Sequence, residues 1–162
     1  MEKESEYQTL ELIKKHWPEV WGKLVPEVIL FFKIEEQLEN AIDVEVNYFG
    51  ILPGDFKVLF RLCACGSGNS QAPTSLYKNL GLTSGGLTKI LHRLEGKGLI
   101  TRVSNPADKR STLVQISPVG KQMTSDLFDK VIKHDQQYFS VLTKEEQKLL
   151  NRLFEKLLRV RK

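Results

Sequence analysis

Two groups of charged side chains in the middle of the chain have residue types suited to gripping a polyanion. Lys89, His92 and Arg93 lie close together after a glycine pair, Gly85 and Gly86. Downstream, the stretch NPADKRST (Asn105 to Thr112) holds Asp108, Lys109 and Arg110. Lysine offers a mobile point charge. Arginine offers a planar fork of five donors that suits phosphate oxygens and base edges. Asp108 would repel an anion, but it lies two residues from Arg110, where a carboxylate can orient a neighbouring donor. The expectation is that Asp108 orients the Arg110 fork. The plainer alternative is a charged turn with an incidental surface pair, worth at most about 1 kcal/mol.

These residues need elements to position them. Leu87, Ile90, Leu91 and Leu94 recur at i, i+3, i+4 and i+7, which predicts an amphipathic helix from about Ser84 to Lys97. Its opposite face carries Ser84, Gly85, Thr88, Lys89, His92 and Arg93. Thr83 suits its N-cap. A shorter helix precedes it, opened by Pro73 and closed by Gly81, with Leu76, Tyr77 and Leu80 on one face. Two short helices joined by a tight Gly-containing turn form a helix-turn-helix candidate. On both sides of NPADKRST the sequence alternates: Leu99, Thr101 and Val103 before it, Thr112, Val114 and Ile116 after it. That reads as a β-hairpin with a long loop. A helix-turn-helix followed directly by a hairpin is a winged-helix arrangement. A helix fits the major groove of DNA, and an arginine at a wing tip suits a narrow, strongly negative minor groove.

The flanks are helical in character. Leu10, Ile13, Trp17, Val20, Trp21, Leu24, Val28, Phe31, Phe32 and Leu38 recur at spacings of three and four, with breaks expected at Pro18 and Pro26. Asn47 to Gly54 reads as a loop. Pro53 then opens a helix with a stripe of Phe56, Leu59, Phe60 and Cys63, and Gly66 to Gln71 reads as a loop again. Ser117 and Pro118 start another helix with Met123, Leu127, Val131 and Ile132 on its apolar face. Thr143 and Glu146 have capping-box spacing ahead of a leucine-rich last helix.

The bulk properties set limits. Apolar residues at 41% and charged residues at 27% argue against disorder. The longest apolar run, Val28 to Phe32, is far shorter than a membrane span, so no membrane partner is expected. The acidic N-terminal MEKESEY lacks a signal core, which predicts a cytoplasmic protein. A net charge of +4 permits nucleic-acid binding without demanding it. Cys63 and Cys65, two apart on a helix, point to different faces and would pair poorly, and no His or Cys cluster has metal-ligand spacing. No nucleophile–base pairing appears, and GSGNS lacks the Lys and spacing of a P-loop, so neither an enzyme nor a cofactor is expected.

The run LTSGGLTKILHRLEGKGLITRVSNPADKRSTLVQISPVGKQM resembles the MarR family of bacterial transcriptional regulators. The match lies in Leu91, Leu94, Glu95, Gly98, Leu99 and Ile100, in the D-x-R of Asp108 and Arg110, and in V-x-I-S-x-x-G from Val114 to Gly120. The family often has an acidic residue where Asn105 stands, so a looser, more cationic wing is expected here. The adjacent Gly85 and Gly86 predict a loose start to the recognition helix, each glycine costing up to about 1 kcal/mol relative to Ala.

The resemblance implies a mainly α fold with a small β-hairpin wing: a winged helix-turn-helix lobe plus a helical dimerisation region. The divisions expected are 1–47 for an N-terminal dimerisation region, 48–118 for the DNA-binding lobe and 119–162 for a C-terminal dimerisation region. It implies a homodimer on double-stranded DNA, with Ser75 and Lys78 near the backbone. It also implies a small aromatic ligand, for which His16, Trp17 and Trp21 are the residues to consider. Core packing is the competing account of the two tryptophans. The rival to the whole reading is a winged-helix module that docks protein, its basic face merely solvated.

Overall fold

The computed structural model describes residues 6–66 and 68–160. It divides into two compact units, one up to Ile42 and one from Asp43 onward.

The first unit contains α1 (Glu6–His16), α2 (Pro18–Trp21) and most of α3 (Pro26–Tyr48). Pro18 and Pro26 each occupy the first position of a helix, so the expected breaks fall where a missing amide donor does least harm. Leu10 is buried, whereas Val28, Phe31 and Phe32 are about half exposed.

The second unit contains the end of α3, then α4 (Pro53–Ala64), β1 (Ser70–Gln71), α5 (Pro73–Leu80), α6 (Ser84–Gly96), β2 (Ile100–Asn105), β3 (Asp108–Ile116), α7 (Pro118–Phe139) and α8 (Lys144–Leu158). The fold is mainly helical with a small antiparallel sheet. Its core gathers Val58, Leu59 and Leu62 from α4, Leu76 from α5, Leu87, Leu91 and Leu94 from α6, Val114 from β3, and Leu127 from α7. Each such leucine, fully removed from water, contributes about 1.5–3 kcal/mol.

Three local expectations need correction. The hairpin is the larger part of a three-stranded sheet in the order β1-β3-β2, with Ser70 opposite Gln115. A two-residue strand is too short to carry a periodicity, so GSGNSQ reads as pure loop. The buried face of α4 is Asp55, Phe56, Val58, Leu59 and Leu62, while Phe60 is 41% exposed and Cys63 half-buried. On the first wing strand the core takes the adjacent Leu99 and Ile100, and Thr101 is exposed. Leu99 still belongs to the turn leaving α6; along β2 Thr101 and Arg102 are both exposed, and alternation starts only with the half-buried Val103, through exposed Ser104 to half-buried Asn105.

The V-x-I-S-x-x-G motif has a packing reason. Ser117 caps α7: its Oγ accepts the Gly120 amide at 3.0 Å and donates to the Gly98 carbonyl at 2.7 Å. The two bonds tie α7 to the turn at the end of α6. Gly120 lies so close to Leu99 that a Cβ there would overlap the Leu99 carbonyl.

Candidate nucleic-acid interface

α5 ends at Gly81 with φ +63°, a left-handed turn that glycine adopts without strain. Thr83 then starts α6, its Oγ1 accepting the Gly86 amide at 3.0 Å. α6 is therefore helical and capped from Ser84, with its glycine pair in the first turn. A Cβ on Gly85 would meet nothing within 4 Å, so this first turn presents bare backbone outward.

Leu87, Ile90, Leu91 and Leu94 are buried, and Ser84, Gly85, Thr88, Lys89 and His92 are exposed on the other side. Thr88 donates its hydroxyl to the Ser84 carbonyl at 2.9 Å. Among the described residues Lys89 and His92 make no hydrogen bond or ion pair, so both are available to a ligand. Ser75 and Lys78 are exposed on α5.

Arg93 is placed differently. It sits on the flank of α6 beside the start of α4, with its side chain 33% exposed. Its Nε donates to Asp55 Oδ2 at 2.8 Å and to Oδ1 at 3.1 Å, and its Nη2 donates to Oδ1 at 2.6 Å. Asp55 has no exposed surface, and its Oδ2 also accepts the Leu52 amide at 3.0 Å, capping α4. The hydrogen bonding of Arg93 to the Asp55 carboxylate pushes its guanidinium further up from its already high value, outweighing the opposing effect of burial. Asp55 is the residue that sequence reasoning missed. Its signal was an acid in the first turn of a helix, a capping position.

The wing tip also differs from expectation. Asp108 does not grip the Arg110 fork; its Oδ1 accepts the Arg110 backbone amide at 3.0 Å. The Arg110 guanidinium and the Lys109 ammonium have no partner among the described residues. Asn105 ties the tip at both ends, its Oδ1 accepting the Ala107 amide at 3.0 Å and its Nδ2 donating to Ser111 Oγ at 2.9 Å. Asn105 thus bonds to both sides of the tip at the position where the family often has an acid. An asparagine supplies both a donor and an acceptor.

The remaining residues singled out lie elsewhere. His16 is exposed, Trp17 is 54% exposed, and Trp21 is half-buried with Lys14 Nζ 5.7 Å from its ring centre. Core packing is thus not the role of Trp17 in the single chain. Cys63 and Cys65 are unpaired thiols. Burial pushes the Cys63 thiol up, against the weaker pull of the Thr124 hydrogen bond and of Lys121. Cys65 donates to the Leu62 carbonyl at 3.0 Å. No group of three or more His, Cys, Asp or Glu among the described residues is arranged to hold a metal. No described helix is long and apolar enough to cross a membrane.

A capped helix-turn-helix, a cationic second helix and a three-stranded wing define a winged helix-turn-helix protein. A family model described as MarR family matches residues 53–112, which span α4 to the wing. The multiple antibiotic resistance protein MarR of Salmonella typhimurium is 28% identical over 145 residues, covering 89% of this chain and 99% of that protein. The HTH-type transcriptional regulator MhqR of Bacillus subtilis is 25% identical over 129 residues, covering 80% of this chain and 87% of its own. A cysteine-to-serine variant of MarR from E. coli, solved in complex with operator DNA, superposes with a TM-score of 0.70 at 28% identity. That match covers 85% of this chain and 97% of the other. The segment from α4 to the wing matches the MarR family model, and most of the chain is similar to MarR proteins in sequence and fold.

Proposed function

We propose that this protein is a sequence-specific DNA-binding transcriptional regulator that works in the cytoplasm as a homodimer, with repression as its mode. The observation that carries the reading is the outward face of α6, where Lys89 and His92 stand exposed and unpaired beside a wing that presents Lys109 and Arg110. An α-helix fits one major groove, and two lobes of a symmetric dimer suit half-sites about 34 Å apart. In this reading Ser84, Gly85, Thr88, Lys89 and His92 meet base edges and nearby phosphates. Arg110 probes the adjacent minor groove, and Ser75 and Lys78 contact backbone. Exposed, unpaired cations on α6 and the wing also favour DNA over a docked protein as the partner of this face.

The test is binding to duplex DNA from upstream of the protein's own gene, at several salt concentrations. Lys89→Ala and Arg110→Ala should each cost about 1–3 kcal/mol if they contact bases. Affinity should fall steeply with salt, as counterion release requires. Unchanged binding in both variants together with a flat salt dependence would sink the reading.

A small aromatic ligand that shifts the spacing of the two lobes completes the proposal. The chain has two tryptophans, both among the residues proposed to meet it, so their fluorescence is a direct reporter. A simple phenolic acid that binds should change that emission and weaken DNA binding. No change in emission at concentrations that release DNA would place the ligand elsewhere.

A further inference from the structure

We propose that Asp55 is a positioning residue for DNA binding: from the buried start of α4 it holds Arg93 so that the free edge of the guanidinium receives a DNA phosphate. The inference rests on the DNA-binding reading above and adds to it a residue that never meets DNA.

The five N–H groups of the Arg93 guanidinium are one on Nε and two on each terminal nitrogen. Asp55 takes the Nε edge, through Nε and Nη2. A side-on pair of this kind leaves both protons of Nη1 and one of Nη2 pointing away from the carboxylate. That opposite edge is itself a fork with the spacing of two phosphate oxygens. Arg93 keeps 33% of its side chain exposed, while Asp55 is wholly covered, so the surface this pair shows to solvent belongs to the arginine. Lys89 lies one turn earlier on the same helix and is exposed. Asp55 is itself fixed, because its Oδ2 also accepts the Leu52 amide at 3.0 Å. The helix packing around the pair is tight: a Cβ on Gly54 would stand 3.2 Å from Ile90 Cδ1. The Arg93 fork is thus held by a carboxylate that is anchored to another helix, and little side-chain freedom remains to be lost when a phosphate arrives.

Charge alone makes the opposite prediction for Asp55. Removing a carboxylate near the interface should tighten binding to a polyanion. The positioning role says that Asp55→Asn weakens it, because the fork is released.

The experiment uses the full chain and a mixed-sequence duplex of about 30 base pairs, long enough for two successive major-groove sites. The logarithm of the binding constant is followed against the logarithm of salt concentration for wild type, Arg93→Gln, Asp55→Asn and Lys89→Ala. Circular dichroism and urea unfolding establish that each variant is folded. Arg93→Gln and Asp55→Asn should both bind more weakly, each with a slope shallower by about 0.9 per chain, the value of one lost phosphate contact. A wild-type slope retained in Arg93→Gln overturns the phosphate contact. A shallow slope in Arg93→Gln with unchanged or tighter binding in Asp55→Asn overturns the positioning role. A flat slope in wild type removes the DNA reading itself, and with it this proposal; the Lys89→Ala slope separates that failure from failure at Arg93 alone. If Asp55→Asn does not fold, wild-type protein with ¹⁵N-labelled arginine is titrated with the same duplex. The Arg93 Nη signals should shift while its Nε–H signal stays, and an Arg93 side chain unmoved by DNA overturns the proposal.

Discussion

Asp108 fixes the backbone of Arg110 and leaves its side chain free: the carboxylate Oδ1 lies 3.0 Å from the Arg110 amide nitrogen. What the wing needs at position 108 is therefore an acceptor, not a charge. Asp108→Asn keeps an acceptor in the same place and removes a negative charge from beside the proposed DNA contact. It should bind duplex DNA at least as tightly as wild type, with the gain fading as salt rises. Asp108→Ala removes the acceptor and should bind more weakly than Asp108→Asn. Fluorescence anisotropy on the two variants decides it. Equal losses in both would mean that the charge matters after all.

The pair between Asp55 and Arg93 makes an uneven prediction for stability. Removing Arg93 leaves a wholly buried carboxylate with the Leu52 amide as its remaining partner. Arg93→Ala should cost about 3–5 kcal/mol. Removing Asp55 instead leaves an arginine that is one-third exposed and can turn toward water. Asp55→Ala should cost less, about 1–3 kcal/mol, part of it the lost cap on Leu52. Urea unfolding of both single variants and the double variant tests this. The double variant should be less destabilised than the sum, because the buried charge goes with its partner.

The same pair shows where sequence reasoning reached its limit. Caps and breakers were legible because they are local: Pro53, Pro73, Thr83, Ser117 and Thr143 start helices as their chemistry requires. The leucine stripe of α6 was legible because it repeats with the helix period. Arg93 read as one more cation on the outward face. Its partner lies 38 positions away in sequence, and no local pattern links the two. At the wing, the spacing of Asp108 and Arg110 suggests a carboxylate that holds the fork, but the carboxylate accepts the Arg110 backbone amide instead. Spacing alone does not say whether the donor is the fork or the amide. The strand Ser70–Gln71 was hidden because its two residues pair only through the distant Gln115 and Val114.

The start of α8 carries a pH dependence of known sign. Thr143 donates its backbone amide to Glu146 Oε2 at 2.7 Å and its hydroxyl to the same oxygen at 2.9 Å. Those bonds, the backbone one foremost, hold the Glu146 carboxyl below the usual glutamate value. A depressed carboxylate stabilises the fold above its unfolded-state pKa, and that contribution is lost as pH falls through the folded-state value. Amide exchange at Thr143 should therefore be slow near neutrality, relative to its intrinsic rate, and lose its protection in the acid range. Glu146→Gln should flatten that pH dependence. If protection at Thr143 is the same in Glu146→Gln and wild type across the acid range, the carboxylate is not what closes this turn.

That capped turn begins a helix whose apolar face is only partly covered in one chain, at the half-buried Leu150 and Phe154. None of the residues of α8 is buried. Leu149, Leu153 and Leu157 recur every fourth position and are 44%, 48% and 67% exposed. Such a stripe leaves water in contact with apolar surface at a cost of about 25 cal/mol for each Å². In a homodimer with two-fold symmetry the stripe would meet its own copy, so each leucine would count twice. One substitution, Leu153→Glu, would then bring two carboxylates into an apolar interface with no cation supplied to pair them. Sedimentation velocity should show wild type as a dimer at micromolar concentration and Leu153→Glu shifted toward monomer, with its helical content retained. DNA affinity should drop in parallel, because two lobes held together bind at a high effective concentration and separate lobes do not. A Leu153→Glu protein that remains a dimer of unchanged stability would move the interface off this helix.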